Sequence, residues 1–135
     1  MDLKSSYLVI VDRSIKGADS DIQSSLHEHA AFHAYHAFES LGGAFCASVN
    51  ASYPRGSHKK KLNKFVKEAR RYRNSFHYEI ARLAIILAST RNETLYPRES
   101  LSQSYISPRD SIDIISAARL VKSVKGVCNR VQRFL

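Results

Sequence analysis

Three prolines and five glycines in 135 residues leave this sequence little punctuation. A many-turned β fold needs more breakers than that, so long helices are expected. Cysteine is nearly absent as well. Cys46 and Cys128 stand far apart, without the spacing of a metal site. Reduced thiols in a cytoplasmic protein are the expectation, because disulfides persist mainly in oxidising compartments. No run of about 18 apolar residues occurs, so no membrane-spanning helix is expected. The opening stretch, MDLKSSYLVIVDRSIKG, has a short apolar patch but carries Asp2 and Asp12 and no small-residue cleavage site. It reads as part of the mature fold. Internal repeats and low-complexity tracts are missing too. Hydrophobic residues nevertheless make up 44% of the chain, which excludes disorder, and the length fits one domain over 1–135.

Acidic residues are scarce in one place above all. Pro54 to Arg73 reads PRGSHKKKLNKFVKEARRYR, with nine lysines and arginines against the single acid Glu68. That is a surplus of +8 (nine minus one) in a chain whose total is +9. Repulsion of this kind opposes folding, so a polyanionic partner is the economical explanation. Nucleic acid is the leading candidate, and an acidic protein is the alternative. A smaller basic surface is expected near the end of the chain, from Arg119, Lys122, Lys125, Arg130 and Arg133.

Apolar periodicity places the elements. Leu3, Tyr7, Leu8, Ile10, Val11 and Ile15 suggest a first helix, with a strand through Tyr7–Val11 as the competing reading. Gly17-Ala18-Asp19-Ser20 reads as a break, with Asp19 or Ser20 capping a long second helix to about Asn50. Gly42-Gly43 would kink that helix or end it early. Ser57 is the expected N-cap of the basic helix. Within that helix Leu62, Phe65, Val66, Ala69 and Tyr72 form an apolar stripe, and Lys60, Lys64, Lys67 and Arg71 form a separate basic one. A further helix over about Phe76–Thr94 turns Ile80, Leu83, Ala84, Leu87 and Ala88 inward. Tyr96–Ser107 reads as a loop, and Pro108 as the first turn of a last helix. That helix is expected to bury Ile112, Ile115, Ala118, Leu120, Val121, Val124 and Val131. The fold class is therefore all-α, a four- to five-helix bundle.

His29, His33 and His36 share one helical face, with His27, Glu28 and Glu39 nearby. The two-histidine zincin pattern with an internal Glu does not occur, since Glu28 lies outside the pair. Polar packing is the preferred reading, and neither metal nor cofactor is expected. In the basic helix Arg70, Arg71 and Arg73 follow the lysines, with Tyr72 and His77 interleaved. Arginine forks match phosphate oxygens, and aromatic faces stack on bases. This makes Lys60, Lys64, Lys67, Arg70, Arg71 and Arg73 the candidate nucleic-acid contacts, joined by Arg119, Lys122 and Lys125. Arg91-Asn92, at a helix end and followed by Tyr96, could grip a phosphodiester, Arg91 offsetting its negative charge. Capping of a helix C-terminus by Arg91 is the plainer alternative.

HAAFHAYHAFESLGG (29–43) resembles the second helix of HEPN-type helical domains. SHKKKLNKF (57–65) resembles the Ser-His-Lys start of the helix that follows it. LASTRNETLYP (87–97) resembles the later helix that carries the family's Arg-Asn signature. The resemblance spans roughly residues 22–97. It implies an all-α bundle, often dimeric, with RNA binding or metal-independent RNA cleavage, in toxin–antitoxin or antiviral defence systems. The family's nuclease motif is Arg, four to six residues, then His, with a polar residue directly after the Arg. Arg91 and Asn92 match its start, but Tyr96 stands where the His would fall. A tyrosine with its pKa near 10 is a poor general base at neutral pH. Arg71 and His77 satisfy the bare spacing and form an alternative pair, though Tyr72 follows Arg71.

The expectation is thus an RNA-binding, dimerising protein with weak or no catalysis. An active metal-independent endoribonuclease is the second reading. A basic scaffold subunit of a ribonucleoprotein or protein complex is the third.

Overall fold

The computed structural model describes residues 1–72, 75–95, 98–99, 105–110 and 112–135. Five α-helices run through them: α1 (Leu3–Gln23), α2 (His27–Ser48), α3 (His58–Arg71), α4 (His77–Leu95) and α5 (Ile114–Phe134). Between α4 and α5 lie two two-residue strands, β1 (Arg98–Glu99) and β2 (Tyr105–Ile106). They pair antiparallel, with Arg98 opposite Ile106, and a 3-10 turn at Pro108–Asp110 follows. The architecture is an all-α bundle, and no helix among the described residues is long and apolar enough to cross a membrane.

α2 is the centre of the bundle and touches α1, α3, α4 and α5. From Ala37 to Cys46 every residue of it is buried. A helix covered on all sides must be apolar or small all round, and the run AFESLGGAFC meets that condition except at Glu39 and Ser40. The glycines do not end α2, which continues to Ser48. A Cβ on Gly43 would come within 2.5 Å of the Tyr7 ring, and one on Gly42 within 2.9 Å of the Phe65 ring. Gly42 and Gly43 give up about 1 kcal/mol each of helix propensity so that rings from α1 and α3 can lie on the α2 backbone. Phe65 then packs at 5.1 Å from Phe38 and 5.8 Å from Phe45, and Phe45 stacks on Phe134 of α5.

The Tyr7–Val11 stretch is helical, as its apolar periodicity suggests, and the competing strand does not form. Three sequence expectations need correction. α1 passes straight through Gly17-Ala18-Asp19-Ser20 and stops at Ser24. There Leu26 N–H donates to the Asp21 carbonyl at 2.8 Å, and Ser25 takes the left-handed conformation at φ 59°. This is a Schellman stop built on serine, and Asn50 (φ 56°) closes α2 in the same way. Pro108 does not open the last helix. It opens the 3-10 turn, and α5 starts four residues after that turn, capped by Asp113, whose side chain accepts from Ser116 N–H at 2.8 Å. Ile115, Ala118 and Ala88 are exposed rather than in the core, while Leu120, Val121, Val124 and Val131 are buried as expected.

Candidate functional site

Ser57 caps α3, its hydroxyl accepting from Lys60 N–H at 3.3 Å. The cap places His58 at the first position of the helix, against the middle of α2. There Tyr35 and Glu39, one turn apart, point the same way. His58 Nδ1–H donates to Glu39 Oε2 at 2.7 Å, and the Tyr35 hydroxyl donates to the same oxygen at 2.8 Å. Lys61 Nζ reaches Oε1 at 3.4 Å, and Tyr53 OH donates to the Glu39 backbone carbonyl at 2.7 Å. A carboxylate only 6% exposed needs this many donors. Burial pushes its pKa up, but the bonds from His58 and Tyr35 and the charge of Lys61 outweigh burial and hold it below 4.5. Glu39 is therefore ionised at neutral pH. Burial, and then the bond to Glu39, push the Tyr35 hydroxyl well above its ordinary value, so it stays a donor.

An ionised Glu39 orients His58. A carboxylate can only accept, so Nδ1 carries a proton, and whenever the ring is neutral its lone pair lies on Nε2. The side chain of His58 is 41% exposed, which leaves that edge accessible. Tyr35 links this pair to α4: the Arg91 guanidinium lies over its ring, 5.7 Å from the centroid.

His58 and Arg91 line one cleft of about 620 Å³ between α3 and α4. α3 contributes Lys59, Leu62, Asn63 and Val66, and α4 contributes Ala81, Ala84, Ile85 and Ala88. The basic face continues from its rim. Lys59, Asn63, Val66 and Arg70 follow each other at i, i+4, i+7 and i+11 along the cleft edge. Lys60, Lys67 and Arg71 form the adjoining outward row. Lys59, Lys60, Lys67, Arg70 and Arg71 are exposed, and none of them makes an ion pair among the described residues. Arg71 packs over the Tyr72 ring. Lys64 differs: its Nζ lies 3.0 Å from the buried carboxylate of Glu68.

The other sequence candidates fall elsewhere. Asn92 follows Arg91 in α4, whereas Arg73 and Tyr96 lie outside the described residues. His77 opens α4, and its ring lies tilted against that of Tyr78, 4.0 Å between centroids. It sits fourteen residues before Arg91, about 21 Å along the helix at 1.5 Å per residue, so His77 and Arg91 of one chain do not meet. Arg71 and His77 flank the α3–α4 turn, away from the Glu39 network. Arg119 and Lys122 are exposed on α5, which packs mainly on α2 and α1, while α3 packs on α2 and α4. Lys125 is bound to Asp19 at 2.9 Å, and Arg130 pairs with Glu79.

The remaining histidines are held by local partners. His33 Nδ1 is 2.5 Å from Asp21, and Glu28 lies 3.8 Å from His27 and 3.6 Å from His29. His36 stacks on Phe32, and burial lowers its pKa. The described residues hold no group of three His, Cys, Asp or Glu side chains suited to a metal ion. Cys46 and Cys128 are free and buried, and burial pushes their thiols up to about 11 and about 12, which makes them inert.

Tyr35, Glu39 and His58 are the functional candidates that sequence reasoning passed over. The available signal was a lone acid inside the α2 apolar run, together with a histidine directly after a helix cap. No family model matches this chain, and no curated protein or solved structure matches it either.

Proposed function

We propose that this chain binds single-stranded RNA along α3 and holds part of the strand at the mouth of the α3–α4 cleft. One observation carries the reading. A row of exposed cations on α3, which make no ion pair among the described residues, runs directly into a cleft that also holds His58 and Arg91. Phosphates suit the row, and a flexible single strand can turn from the row into the cleft. The resemblance of the 29–43, 57–65 and 87–97 stretches to HEPN-type proteins supports the same ligand, a cytoplasmic toxin–antitoxin or antiviral setting, and a homodimer. Away from the cleft, the α4 surface offers Tyr78 and Ile86, 77% and 39% exposed and about two turns apart, as the self-association face.

The second reading, metal-independent cleavage, is favoured by the His58–Glu39 pair. A histidine oriented by an ionised carboxylate, with its Nε2 lone pair accessible, is the usual form of a general base. In that reading His58 takes the proton of a ribose 2′-hydroxyl, and Arg91 faces the negative charge that develops on the phosphate. The 2′ oxygen bonds to phosphorus as the bond to the 5′ oxygen breaks, and that oxygen leaves with a proton from water.

Labelled single-stranded RNA incubated with the protein in excess EDTA tests both readings. A gel shift is expected for the wild type and for His58→Ala. Fragments from the wild type but not from His58→Ala would establish cleavage, and intact RNA after hours would remove it. The absence of any shift at low salt would remove RNA binding itself.

A further inference from the structure

The α3 cations account for phosphate binding, but they give no role to the interior of the cleft. That interior is chemically two-ended. Lys59, His58 and Arg91 stand at one end, and Leu62, Val66 and Ala88 are among its apolar walls. A nucleotide has the same two ends, an anionic phosphate and a flat base with apolar faces. The volume of about 620 Å³ lies inside the range of pockets that enclose small molecules, about 300–1,000 Å³. Alanines at 81, 84 and 88 keep the α4 wall low. Side chains the size of leucine at those positions would fill the space.

Asn63 adds a polar reader. It stands on α3 one turn beyond Lys59 and one turn before Val66, between the cationic end and the apolar wall. A carboxamide can accept from the N6 amino group of adenine while donating to its N7. Guanine presents two acceptors at the same edge, so one amide cannot satisfy both in that way. Adenine is therefore the base that matches the amide on both contacts.

We propose that the α3–α4 cleft is a subsite for one unstacked adenine of an RNA strand, with Asn63 as its specificity-determining residue. The base lies between Leu62 and Val66 on one side and Ala88 on the other, and its phosphate faces Lys59 and Arg91. This inference rests on the RNA-binding reading, and it goes further by naming what enters the cleft.

Fluorescence anisotropy with three short strands of equal length tests it: oligo(A), oligo(U), and a ribose-phosphate strand without bases. Oligo(A) is expected to bind at least about tenfold more tightly than the base-free strand, the order of effect of one well-held base. Ala88→Phe fills the cleft from an exposed helix position. It should bring oligo(A) down to the affinity that the same variant shows for the base-free strand. Asn63→Leu, also at an exposed position, should erase the preference for oligo(A) over oligo(U). Oligo(A) binding no more tightly than the base-free strand, or unaffected by both substitutions, overturns the subsite and leaves RNA binding by α3 standing. If none of the three strands binds at low salt, the RNA reading falls and the subsite falls with it.

Discussion

Glu39 is a carboxylate in the middle of the most buried helix, and what it contributes depends on its charge. Its folded pKa lies below the ordinary 4.5, because the bonds from His58 and Tyr35 and the charge of Lys61 overcome the burial that would raise it. A carboxylate lowered in this way stabilises the fold fully above about pH 4.5. It loses that contribution as pH falls through its lower folded value. Glu39→Gln keeps the shape but removes the charge that three donors face. The variant is expected to lose about 1–3 kcal/mol at pH 7. Against the wild type that gap should shrink in acid below pH 4.5. Urea unfolding of both proteins at pH 7 and pH 3 measures it, and an equal gap at the two pH values would show that Glu39 is not ionised in the fold. His36 acts in a higher window. Its folded pKa is lowered, chiefly by burial, so protonation opposes folding as pH falls through and below 6.5. The Glu39 charge works against that lowering, so the two proteins are compared in a His36→Asn background, which removes the His36 titration from the gap.

At the scale of the element, α3 was the most legible part of the chain. Its cap at Ser57, its apolar stripe and its basic row all follow from helical phasing, and the structure reproduces the cap and the burial of Leu62, Phe65 and Ala69. Phasing could not distinguish the lysines from one another. Lys64 lies in the expected basic stripe, yet it pairs with Glu68, and Lys61 with Glu39. Those acids are set by packing on the core, which no single-helix pattern contains. The same limit hid the site, because His58 and Glu39 are nineteen residues apart and meet only through tertiary packing. The misplaced α1–α2 boundary has another cause. A glycine at position 17 reads as a stop, but here it is a contact point for the His33 ring, while the stop is a serine in a glycine conformation. The RNA prediction for α3 therefore concerns Lys60, Lys67 and Arg71, and not Lys64. Replacing those three with Glu should abolish binding at moderate salt. Replacing them with Gln should lower the slope of log affinity against log salt by about 2, at roughly 0.7 per phosphate contact on a single strand. Titrations between about 50 and 200 mM salt read the slope, and an unchanged slope would take these residues out of the interface.

Across the whole molecule, charge and apolar exposure are separated. The cations concentrate on α3, while the face of α4 away from the cleft carries Tyr78 and Ile86 beside Arg82. A chain of net charge +9 resists meeting its own copy, so association requires a face where the repulsion is weakest and apolar area is available. The α4 face offers such area beside one exposed charge, Arg82. Burying a tyrosine and an isoleucine on each side contributes about 1.5–3 kcal/mol per side chain. Salt then separates the two kinds of partner. Screening weakens like-charge repulsion and should strengthen self-association, whereas the same salt weakens RNA binding. Sedimentation equilibrium on the RNA-free protein should give a mass approaching twice the 15.2 kDa of the chain, rising toward that value with salt. Tyr78→Glu adds a charge to each copy at the centre of the contact. It should return the mass to that of one chain without changing RNA affinity at low salt, because neither Tyr78 nor Ile86 is among the residues lining the cleft. A wild-type mass of one chain at every salt concentration would leave α4 without a partner copy, and one that Tyr78→Glu does not lower would move the dimer contact to another face.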